Sequence, residues 1–122
     1  MQHLLRQIAY RGNQRTVAIC EDGLLALRWQ RSIVFLHPHE LIHAHRTLCH
    51  WTEQPRRPFY GSRYVNCFCD SAGTVQLWMY GVGFYLTGGD FAALLDLLQT
   101  TVEKLSEEND NTGFIRSDQA DT

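Results

Sequence analysis

Residues 24 to 48, LLALRWQRSIVFLHPHELIHAHRTL, lie over residues 74 to 98, TVQLWMYGVGFYLTGGDFAALLDLL, at a shift of 50 with no gap. Leu27 falls on Leu77, Leu36 on Leu86, Glu40 on Asp90, Leu41 on Phe91 and Leu48 on Leu98. A repeat constrains the fold more than any single element, because both copies must adopt one supersecondary unit. Continued backwards with one added loop residue, RTVAICEDG (15 to 23) falls on YVNCFCDSAG (64 to 73), which sets Cys20 on Cys69. Each copy then reads strand, Gly turn, strand, tight turn, strand, helix. The expected fold is α+β: two pseudo-symmetric β-β-β-α repeats, about 13–50 and 63–105, forming an antiparallel sheet with two helices on one face. Residues 3 to 11, short and compatible with either period, are read as a further strand.

A chain of 122 residues suits one domain, placed at 1–105. Residues 106–122, SEENDNTGFIRSDQADT, are expected to be a disordered acidic tail. No apolar run reaches bilayer length, so no membrane span is expected. The amino terminus MQHLLRQIAYRG carries arginines within its apolar stretch and no small-residue cleavage pattern, which points to the cytoplasm and to free thiols for the four cysteines. Charge is uneven: residues 1 to 63 hold nine arginines against four acids, and residues 64 to 122 hold two basic residues against nine acids. That asymmetry suits pairing between molecules as well as nucleic acid.

Alternation assigns the strand faces. Leu25, Leu27 and Trp29 in the first copy, with Val75, Leu77 and Met79 in the second, should face the helices. Leu41, Leu48, Phe91, Leu94 and Leu98 on the helices complete the core. The opposite face collects Arg28 and Gln30, then Gln76, Trp78 and Tyr80, with Phe35 and Tyr85 on the neighbouring strands. So much aromatic surface marks an interface with a protein partner or a second copy in a homodimer. The proline-flanked Arg56 and Arg57, beside Phe59 and Tyr60, extend the candidate partner-binding set from an exposed loop.

Five of the six histidines lie between His37 and Trp51. A helix beginning after Pro38 puts His39, His43, Arg46 and His50 on its wet side and directs His45 at the core. His39 and His43, four residues apart, can chelate a divalent ion, but two nitrogens do not make a site. His39, His43, His50, Cys67 and Cys69 are therefore kept only as candidate ligands for a metal-binding or metal-sensing role, and no metal or other cofactor is assigned.

No catalytic constellation emerges. The chain lacks a Gly-x-Ser-x-Gly elbow and a phosphate-cradling Gly-x-x-x-x-Gly-Lys, and GVGFYLTGG (81 to 89) spans a turn and a strand instead of opening directly into a helix. A non-catalytic binding module is expected. In layout, repeated strands followed by a helix, with arginines and aromatics on the open sheet face, the chain resembles the Whirly and PUR-repeat single-stranded nucleic-acid binders. Those folds have four strands per copy where three are read here. The resemblance implies a nucleic-acid partner as the alternative, against which stand a near-neutral total charge and a single lysine.

Overall fold

The computed structural model of the chain describes residues 4–12, 14–53 and 58–116. Strands β1 (Leu4–Tyr10), β2 (Arg15–Cys20), β3 (Leu25–Trp29) and β4 (Ser32–Leu36) are followed by α1 (Pro38–Glu53). Strands β5 (Phe59–Gly61), β6 (Val65–Cys69), β7 (Val75–Met79) and β8 (Val82–Leu86) are followed by α2 (Gly88–Arg116). The class is α+β, as expected, with one strand more per copy. The strands form two antiparallel four-stranded meanders, β1-β2-β3-β4 and β5-β6-β7-β8, whose last strands adjoin without pairing. Residues 4–10 are the added strand of the first copy and Phe59–Gly61 that of the second.

The period of 50 extends further than the sequence alignment carried it. The Cys20 N–H donates to the Leu24 carbonyl and the Asp70 N–H to that of Thr74; Gln30 donates to Gln14 and Tyr80 to Tyr64; Leu41 donates to His37 and Phe91 to Thr87. Gly23 and Gly73 close equivalent turns at φ 89° and 88°, in the left-handed region that glycine enters without strain. No loop residue intervenes, so Cys20 matches Asp70 and Ile19 matches Cys69; the expected match of Cys20 with Cys69 is corrected. The physical reason is register. Arg15, Val17 and Ile19 oppose Trp29, Leu27 and Leu25 as Val65, Cys67 and Cys69 oppose Met79, Leu77 and Val75, and a slip of one residue would turn every side chain to the other face.

The inward residues and the helices form one continuous core. Leu25, Leu27, Leu36, Leu41, Leu48, Leu77, Met79, Leu94 and Leu98 are fully buried, each contributing roughly 1.5–3 kcal/mol by its removal from water. The copies interlock: α2 lies over β1 and β2 of the first sheet, and α1 reaches β5 of the second. Arg11 and Arg15 consequently meet Asp96 and Asp90 of α2. Trp51 on α1 packs edge-on against Phe91 on α2, with ring centroids 5.4 Å apart.

Helix α2 runs to Arg116, so the boundary drawn at Ser106 falls inside it. Hydropathy marks where packing ends, near Val102 and Leu105, but Glu103, Lys104 and Glu107 are good helix formers and let the helix continue beyond that point. Residues 117–122 lie outside the described residues. Among the described residues no helix is long and apolar enough to cross a membrane.

Candidate functional site: the outer sheet face

The outer face of the second sheet carries a row crossing all four strands, in which Phe59 opposes Phe68, Phe68 opposes Gln76 and Gln76 opposes Tyr85. Phe59 and Phe68 hold their rings 4.8 Å apart and tilted by 45°. The next row is Gly61, Asn66, Trp78 and Gly83. Trp78 donates from Nε1 to Gln76 Oε1 at 3.1 Å, linking the two rows. Phe59, Phe68, Trp78 and Tyr85 are exposed by 52%, 41%, 40% and 71%, an apolar surface of the kind soluble proteins keep for contacts.

The first sheet has the same rows with different contents. Gln7, Ala18, Ala26 and Phe35 form one, and Tyr10, Thr16, Arg28 and Ile33 the other. Ala18 and Ala26 are only 7% and 6% exposed although they lie on the outer face. Phe35 and Ile33 stand exposed on the strand that adjoins the second sheet.

Arg28, Phe35, Trp78 and Tyr85 therefore stand on the outer face where alternation puts them. Tyr80 and Gln30 do not. Both sit at tight turns with positive φ, 50° and 60°, and leave the strand alternation. The Tyr80 hydroxyl donates to the Glu40 carbonyl of α1 at 3.3 Å and its ring stacks on Tyr64. Burial, with Glu40 and Tyr64 adding, raises the Tyr80 hydroxyl above the usual phenol range. Gln30, with its carboxamide oxygen assigned toward Arg15, accepts from that guanidinium at 2.7 Å. Arg56 and Arg57 lie outside the described residues. Phe68 was missed because its strand was read for its two cysteines; the alternation of VNCFC carries the signal. Phe59, read as loop, belongs to β5.

The candidate metal ligands stand on different elements, His39, His43 and His50 on α1 and Cys67 and Cys69 on β6. His39 and His43 line an open cleft with Glu40, Tyr64 and Tyr80, while Cys67 and Cys69 share the inner face of β6. The Cys67 thiol lies 3.6 Å from the Tyr60 carbonyl, and burial, with Cys69 adding, pushes it up to about 12. Among the described residues no group of three His, Cys, Asp or Glu side chains could hold a metal ion. His45 is half-buried, as its direction toward α2 requires, and its Nε2 lies 3.3 Å from the Cys49 Sγ one turn on. The pair opens into a shallow cleft with Leu95, Asp96 and Gln99. Burial and then Glu53 raise the Cys49 thiol, the direction opposite to that of an activated nucleophile.

Comparison with known protein families, with curated proteins and with solved structures finds no match to this chain.

Proposed function

We propose that the protein is a small non-catalytic binding and assembly module of the cytoplasm that associates with itself through the outer face of its sheets. The observation that carries this reading is the continuous row Phe59, Phe68, Gln76 and Tyr85, with Trp78 beside it, on the outer face of a four-stranded meander. The sixteen residues of the four outer rows include one charged side chain, Arg28. Aromatic enrichment with few charges is the composition of an interface centre. The test is native mass spectrometry and sedimentation of the full chain against a Trp78→Ala, Tyr85→Ala double variant. Because both side chains stand outside the core, the variant should keep its far-UV spectrum and lose association. Association unchanged by the double substitution refutes the reading.

One observation favours a second reading. The fourth strand found in each copy completes the β-β-β-β-α layout of the Whirly and PUR-repeat folds, whose aromatic sheet faces stack single-stranded bases. Arg28 on the outer face would then meet phosphate. Single-stranded oligonucleotide binding that weakens steeply with salt and with Arg28→Ala supports it; no binding at low salt removes it.

A further inference from the structure

We infer that the cleft on the outer face of the second sheet is a socket for an arginine side chain of a protein partner, seating the guanidinium between Phe68 and Tyr85 with its N–H groups toward Asp70. The inference goes beyond self-association, because the socket reads one side chain and its test does not require a dimer.

Phe68, Asp70, Thr74, Gln76 and Tyr85 line the cleft, about 370 Å³ in volume. Phe68, Gln76 and Tyr85 oppose one another on three successive strands. With strands about 4.8 Å apart, Phe68 and Tyr85 are rooted about 10 Å from each other. A group held midway is then about 5 Å from each wall, within the reach of a cation over an aromatic ring. Gln76 between them is drawn along its strand, since its Oε1 accepts from Trp78 Nε1. Asp70 and Thr74 close the end of the cleft, where the Asp70 N–H donates to the Thr74 carbonyl. The Asp70 Oδ1 accepts from the Ala72 and Thr74 N–H groups, both at 2.9 Å. Those bonds fix the carboxylate and leave its charge in place, and Oδ2 has no partner among the described residues.

The repeat separates what the fold needs from what the cleft adds. At a shift of 50 the first sheet has Ala18, Cys20, Leu24 and Ala26 where the second has Phe68, Asp70, Thr74 and Gln76. The core pairs Leu27 with Leu77 and Leu36 with Leu86 stay the same. The first copy closes the same turn with Asp22, whose Oδ1 accepts from the Leu24 N–H. An acid at the end of the strand is therefore not a requirement of the turn. Asp70 is the charged residue of the lining, so the cleft suits a cation and repels phosphate. Guanidinium fits it better than ammonium: its plane stacks on rings and its fork of N–H groups meets a carboxylate, whereas ammonium holds its water.

The experiment titrates N-acetyl-arginine amide into the full chain at a concentration where sedimentation finds it monomeric, read by NMR shifts, with N-acetyl-lysine amide and guanosine monophosphate as comparisons. The arginine amide should shift Phe68, Asp70, Thr74 and Tyr85 together and bind at least about fivefold more tightly than the lysine amide. Asp70→Asn keeps a side-chain oxygen for the turn and removes the charge, while Tyr85→Ala removes one wall at a position 71% exposed. Each should weaken the arginine amide by about tenfold with an unchanged far-UV spectrum. Self-association that the arginine amide dissolves and the lysine amide does not makes a second copy the donor of the arginine; self-association that it leaves intact makes the donor another protein. No binding, equal binding of both amides, or binding unaffected by Asp70→Asn overturns the inference. Binding of the nucleotide in place of the arginine amide also overturns it and assigns the cleft to stacked bases. Sedimentation without the probe reports separately on the self-association proposed above.

Discussion

The Trp78 indole lies across the backbone of Gly83, so closely that a β-carbon at residue 83 would stand 2.9 Å from two of its ring carbons. The two residues oppose each other on β7 and β8. In the first copy the same pair is Arg28 and Ile33, so the second copy gives up a β-branched residue at this position and seats a flat aromatic. Gly83→Ala should lift the ring off the sheet. Trp29 and Trp51 are buried and Trp78 is the exposed tryptophan, so acrylamide quenching isolates its response. The accessible fraction of the fluorescence should rise, and stability should fall by no more than about 1 kcal/mol because the ring can swing into solvent. Unchanged quenching would show that the ring does not rest on residue 83.

Arg15 and Asp90 join the first sheet to the second copy's helix at 3.0 Å, with side chains 25% and 35% exposed. The guanidinium also lies 4.4 Å from the centroid of the Trp29 ring. Arg11 and Asp96 pair nearby but are 46% and 52% exposed. A double-mutant cycle on Arg15 and Asp90 should give a coupling of about 1 kcal/mol, and the cycle on Arg11 and Asp96 a coupling near zero, since exposure sets the screening. Equal couplings would mean that Trp29 and the partial burial add nothing.

Most of this architecture was legible because period and alternation are local properties, and the repeat supplied each reading twice. Leu27, Leu77, Leu41 and Leu94 needed only their spacing to be placed in the core. The fourth strand of the second copy was harder, because FYG in β5 is too short for alternation to register and draws its stability from Phe68 and from α1. Tyr80 was misplaced for a different reason. Alternation presumes that a strand continues, and a residue with φ of 50° ends it, a choice made by the turn together with the Glu40 carbonyl 40 residues away in sequence. That Ala18 and Ala26 oppose each other, both nearly inaccessible, required knowledge of which strands pair, information that a pattern within one strand does not hold.

The two helices divide a capping box between them. At α1 the Glu40 carboxylate accepts from the His37 N–H at 2.7 Å, and at α2 the Thr87 hydroxyl accepts from the Asp90 N–H at 3.1 Å. Thr87→Ala should destabilise the fold by about 1 kcal/mol and Thr87→Ser by much less, as measured by urea unfolding. Equal losses for the two would assign the effect to the methyl group and not to the cap.

Cys67 supplies the pH dependence. Its thiol is fully buried against the core and pushed up to about 12, while the unfolded thiol has the ordinary value of 9.0. The folded state therefore holds a proton that the unfolded state has already released. The resulting stability is intact below pH 9 and is lost as pH rises toward 12, at about 1.4 kcal/mol per pH unit for one proton. Cys20, Cys49 and Tyr80 are also raised and add to the same alkaline loss. Cys67→Ala keeps a small apolar side chain at the site and should start less stable at pH 8, yet lose stability more slowly between pH 9 and 11. The comparison is between slopes of unfolding free energy with pH, not between melting points at one pH. Parallel slopes for wild type and variant would place the alkaline sensitivity on the other three groups and return Cys67 to an ordinary packing role.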